Sequence, residues 1–128
     1  MTEPQAQPSD APARTSRRVL FCIGVLPANF EASEAELREL FDVLQREFGG
    51  LRSRFGIEVL GTFDDDELMV GPSTAFPWTS YILADVPDID AAIAVCGLLR
   101  QVRVGEHRLW RYLRIEARVG RPLFFGNA

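Results

Sequence analysis

Near the carboxyl end of the chain, Trp110, Tyr112, Arg114, Glu116 and Arg118 alternate aromatic surface with fixed charge at every second position. On one strand these residues would share a face, because successive strand side chains point to opposite sides. Aromatic rings hold a planar ligand by stacking and area burial, and arginine fixes a carboxylate through paired hydrogen bonds. That is the composition of a small-molecule site for an aromatic acid. Trp78 and Tyr81, in an upstream aromatic segment, are further candidates for holding the ring. The same row also suits a dimer interface, with Arg114 and Glu116 paired across a two-fold axis and the aromatics as anchors. A site built inside an interface satisfies both readings.

Proton transfer at such a site needs a carboxylate or an imidazole. Candidates are Asp65 and Asp66 in the run Asp64-Asp65-Asp66-Glu67, Glu116 in the aromatic row, and His107, the only histidine. An aspartate of the run serves as a base only if its loop folds over the aromatic row. The run lacks the alternate ligand spacing and the sixth-position glycine of a calcium loop. His107 has no cysteine or carboxylate partners at zinc-ligand spacing. No metal site is therefore expected. The basic residues are all arginine, so there is no Schiff-base lysine and no phosphate-loop lysine. A glycine-rich dinucleotide fingerprint and a nucleophile elbow are both absent, which leaves acid–base chemistry without a cofactor.

The 128 residues are 47% hydrophobic and 25% charged, a balance that supports one globular core. A net charge of -4 offers polyphosphate no overall attraction, so nucleic acid and anionic membrane are not expected partners. Cys22 and Cys96 lie in apolar segments, as buried thiols of a reducing compartment do. Arg17-Arg18 before the apolar run Val19 to Leu26 superficially resembles a twin-arginine signal, but no cleavage site follows. No window reaches the ~18 apolar residues of a membrane span. A cytoplasmic location is expected.

Residues 1–16 have no apolar period and are expected to form a disordered tail, leaving 17–128 as a single domain. Val19 to Leu26 reads as a central strand. Ser33 and Glu36 form a capping-box pattern ahead of a helix with apolar positions Leu37, Leu40, Phe41, Leu44, Phe48 and Leu51, ending near Gly49-Gly50. Ile57 to Phe63 and Trp78 to Val86 read as strands, joined by a long polar connection. Asp88 caps a second helix with an apolar face of Ile89, Ala92, Ile93, Cys96 and Leu99. A last strand is predicted from about His107 to Val119, its odd positions apolar and its even positions forming the aromatic and charged row.

Strand, helix, strand, strand, helix, strand is the ferredoxin-like βαββαβ pattern, an α+β fold with both helices on one face of a four-stranded antiparallel sheet. The even row would lie on the uncovered face, where it is too large and too apolar to stay bare. A homodimer is therefore expected, or a small aromatic acid ligand, or both.

Gly61 to Ser73, Pro77 to Tyr81 with Leu83 to Asp88, and Val104 to Arg118 are similar to the small B-type protein encoded in bacterial indole-3-acetic acid degradation clusters. The element order resembles the dimeric α+β barrel superfamily. The resemblance implies a homodimer with facing sheets and a role in aromatic-compound catabolism. That superfamily spans cofactor-free oxygenases, isomerases, decarboxylases and heme enzymes, so the resemblance does not choose a reaction. It carries over no catalytic residues.

Overall fold

A computed structural model of the chain describes residues 16–72 and 78–126. Residues 1–15, nearly all of the expected tail, lie outside the described residues. Strand β1 (Arg17–Val25) leads through a single helical turn, α1 (Ala28–Glu31), to helix α2 (Glu34–Phe48) and the short helix α3 (Leu51–Phe55). Strands β2 (Glu58–Asp64) and β3 (Ser80–Val86) and helix α4 (Ile89–Gln101) follow. The chain then forms a small ribbon, β4 (Arg103–Val104) and β5 (His107–Arg108), a 3-10 turn over Leu109–Arg111, and the last strand β6 (Leu113–Gly120).

The helix starts follow from side-chain chemistry. Ser33 Oγ accepts from the Glu36 amide at 3.1 Å and Asp88 Oδ1 from the Ala91 amide at 2.9 Å, each satisfying an amide that the first turn leaves free. Gly49-Gly50 ends α2 as expected, but the chain re-enters a helix at once, so Leu51 is buried from α3 and does not extend the α2 stripe. Gly56, at φ 70, closes α3 in the left-handed conformation that a glycine adopts without steric cost.

The sheet order is β2-β3-β1-β6 with every neighbouring pair antiparallel, an order compatible with a ferredoxin-like arrangement. Val19 and Phe21 of β1 and Ile82, Ala84 and Val86 of β3 join Ala91, Ala92 and Val95 of α4 and Leu51 in one buried cluster. A second cluster brings Leu40 and Val43 of α2 together with Leu99, Val104, Leu109, Tyr112 and Leu113. Both clusters therefore lie on one face of the sheet.

Three sequence expectations are corrected. The last strand is not continuous from His107, because the 3-10 turn interrupts it and β6 begins only at Leu113. Tyr112, expected on the open face, stands before that strand and is 0% exposed within the core. On α4 the buried stripe is Ala91, Ala92, Val95, Leu98 and Leu99, whereas Ile89 and Ile93 are exposed. The sheet-facing side carries the alanines, which permit close approach to Ala84, and the bulkier isoleucines turn outward.

Candidate functional site

With the odd positions of β1 and the even positions of β3 in the core, alternation places the others on the uncovered face, and the strand pairing lines them up. Cys22 stands opposite Tyr81 on one side and Glu116 on the other, and Tyr81 stands opposite Phe63, so Phe63, Tyr81, Cys22 and Glu116 form a row across all four strands. The adjacent row is Gly61, Leu83, Leu20 and Arg118. Beyond it, Arg18 Nε donates to Asp85 Oδ1 at 2.8 Å, which fastens β1 to β3 on the same face.

The chemistry gathers at the β2–β3 side of this face. The Phe63 and Tyr81 rings stack with centroids 4.9 Å apart. The Tyr81 hydroxyl donates to Asp65 Oδ2 at 3.2 Å, and the Asp65 amide donates to the Thr79 carbonyl at 3.2 Å. The first turn of the acidic connection thus folds back toward the aromatic pair and presents one carboxylate there. Burial, and then the Asp65 carboxylate, push the Tyr81 phenol above its ordinary value, so it remains a proton donor at neutral pH. Asp66 goes elsewhere: its amide donates to Asp64 Oδ1 at 3.2 Å in a local turn.

On β6, Arg118 Nη2 lies 2.5 Å from Glu116 Oε2. Cys22, between this pair and Tyr81, is 2% exposed on the side of β1 away from Val19 and Phe21. Its thiol is pushed up chiefly by burial, against the pull of Arg118, which marks an inert space-filler and not a nucleophile. The Arg114 guanidinium sits 6.0 Å from the centre of the Trp78 ring, at the end of the sheet where β6 begins.

The structure therefore brings together Tyr81, Asp65, Glu116 and Arg118, with Trp78 and Arg114 beside them. It does not bring Trp110, Tyr112 or His107 to this face. Trp110, carried by the 3-10 turn, is exposed and lines a groove of about 570 Å³ with Ile93, Cys96, Arg100 and Arg114 along α4. The Tyr112 hydroxyl donates to the Glu36 carboxylate. His107 belongs to the separate β4–β5 ribbon and borders a cleft with Glu36 and Glu39, the latter accepting from the Gly105 amide at 2.8 Å.

Sequence reasoning missed Phe63, Leu20, Leu83 and Cys22 as part of the face. The run Val19 to Leu26 is apolar on both sides and hides which side is open, and Phe63 becomes the partner of Tyr81 only through the register. A slip in that register lies between Val59 and Gly61, where Leu60 is extra.

Among the described residues no cluster of three or more histidine, cysteine or acidic side chains could hold a metal ion. No helix among them is long and apolar enough to cross a membrane. No family model, curated protein or solved structure matches the chain.

Proposed function

We propose that this chain is a small cytoplasmic homodimer of aromatic-acid catabolism. It would hold an oxidised aromatic carboxylate of indole-acetate type against the open sheet face and move a proton on it without metal or nucleotide. The observation that carries this reading is the juxtaposition of a stacked aromatic pair, a phenol-held carboxylate and a guanidinium on one uncovered face. Phe63 and Tyr81 offer a surface for the ring. Arg118 exchanges part of its contact with Glu116 for the ligand carboxylate. Asp65, oriented by Tyr81, takes the proton, with Glu116 as the second carboxylate within the face. In a dimeric α+β barrel arrangement the facing sheet of a second copy closes the site and excludes water.

A second reading, a dimeric interaction protein without chemistry, is favoured by the Arg118–Glu116 pair, since that guanidinium already has a partner in the bare face.

Titration calorimetry with indole-3-acetate and its amide separates the two. In Arg118→Ala the acid should lose ~1.5–3 kcal/mol of binding, the range for a hydrogen bond to a charged group, and the amide almost nothing. Light scattering on each variant checks that the oligomeric state is unchanged. Equal losses for acid and amide, or no binding by the unaltered protein, leave the interaction reading standing.

A further inference from the structure

The connection between β2 and β3 runs from residue 65 to residue 79, whereas adjacent antiparallel strands need only about 2–5 residues to turn. After Asp65, which is tied to Tyr81, it carries Asp66 and Glu67 and then Leu68, Met69 and Val70, the last 82% exposed. An arm of two charges followed by three bare apolar side chains is a poor terminal state for a surface loop.

The groove along α4 has the complementary character. Ile93 is 62% exposed and Trp110 54%, and Arg100 and Arg114 border the same groove. Among the described residues, no carboxylate is ion-paired with Arg100 or Arg114, and no cation with Asp66 or Glu67.

Arm and groove lie on opposite edges of the sheet, since β2 is one edge strand and β6 the other. They lie at the same end of it, because Ser80 pairs with Ile23 and Leu113 with Val25, two residues further along β1. A two-fold axis between facing sheets and parallel to the strands lays β2 of one copy over β6 of its partner and keeps the ends together. Facing sheets are about 10 Å apart, and the groove opens one layer further out, where α4 packs behind β6. The five steps from Asp65 to Val70, up to about 17 Å, therefore run extended around the β6 edge, and the long Glu67 and Arg100 side chains complete the reach.

We propose that in the homodimer each copy lays its Asp66–Val70 arm into the α4 groove of the other. Glu67 then meets Arg100, and the apolar residues cover Ile93 and Trp110. The inference rests on the facing-sheet dimer proposed above and adds the axis direction and the exchanged contact.

Two single reversals test it by sedimentation. Glu67→Arg and Arg100→Glu each place like charges in both arm contacts of a homodimer, and each should raise its dissociation constant by about a hundredfold, at about tenfold per contact. Both positions are exposed, so the melting curves should match the unaltered protein apart from the concentration dependence of dimerisation. Mixing the two variants is the decisive step, because every arm contact of the mixed dimer again joins opposite charges. One contact pairs the two substituted positions with their signs exchanged, and the other pairs the unaltered Glu67 with the unaltered Arg100. A mixture that dimerises as tightly as the unaltered protein supports the exchange. A mixture no tighter than its components, or variants that dimerise normally alone, overturn it and leave the facing-sheet dimer intact. A monomeric unaltered protein overturns both.

Discussion

Replacing Tyr112 by alanine should lower the unfolding free energy by about 3–5 kcal/mol, the cost of emptying a large aromatic site in a packed core. For a domain of this size that lowers the melting temperature by roughly 10–20 °C. The effect is large because Tyr112 is fully buried and joins several elements: its ring lies among Leu40 and Val43 of α2, Leu99 of α4 and Leu113 of β6. Its carbonyl also accepts from Asn29 Nδ2 at 2.6 Å and from the Leu26 amide at 2.9 Å, bonds that the substitution leaves in place. A melting temperature within a few degrees of the unaltered protein would mean that the ring does not occupy the core.

Tyr112→Phe keeps the ring and removes only the hydroxyl, so it isolates the bond to Glu36. That bond is the main cause that holds the Glu36 carboxyl below its usual 4.5. A depressed carboxyl stabilises the fold above its unfolded value, and that stability is lost as the pH falls through the folded value. Burial first, and then Glu36, raise the Tyr112 phenol above its usual 10.0, so its contribution is complete below that value and is lost as the pH rises through the folded one. Denaturant midpoints measured from pH 3 to pH 11 should therefore fall less steeply at both extremes in Tyr112→Phe.

Leu83→Glu should turn the proposed dimer into a folded monomer. Leu83 stands half-buried on the uncovered face between Leu20 and Gly61, away from the buried clusters, so a carboxylate there still reaches water in the single chain. Between two facing sheets it would be a buried charge beside Asp85, and an unpartnered charge in such a place costs about 3–5 kcal/mol, twice over by symmetry. Light scattering should give one chain mass, 14.3 kDa, with an unchanged far-ultraviolet spectrum. A variant that remains dimeric would show that the face is not the interface.

The elements with strong local signals were legible in the sequence. Ser33 and Asp88 announce α2 and α4, because a capping side chain acts within three residues of itself. The alternation of Leu113, Ile115 and Ala117 also identifies the covered side of β6, where Ile115 and Ala117 pack against the core. What failed was the assumption that one period ran unbroken from His107. The sequence Leu109-Trp110-Arg111 alternates well enough for a strand, but as a 3-10 turn it sends Tyr112 inward and Trp110 to the α4 groove. Two of the five residues of the expected row, Trp110 and Tyr112, were therefore misplaced by three residues of irregular backbone. The partnership of Tyr81 with Phe63 and Asp65 was not legible, since it depends on strand register and on how a long connection folds back. In α4, hydropathy favoured the isoleucines, whereas close packing favoured the alanines.

The pairing of β1 with β6 joins strands from opposite ends of the folded chain, Arg18 meeting Gly120 and Val25 meeting Leu113. Contacts so distant in sequence repay the entropy of loop closure only late, which slows folding relative to a fold of local hairpins. During synthesis β1 emerges first, and its β6-facing edge has no native partner until the last strand is released. The apolar run around Phe21 is then an open edge until β6 emerges, able to pair wrongly with neighbouring chains. Truncation within β6 would prolong that exposure indefinitely, so shortened chains should collect in the insoluble fraction even when their helices can still form.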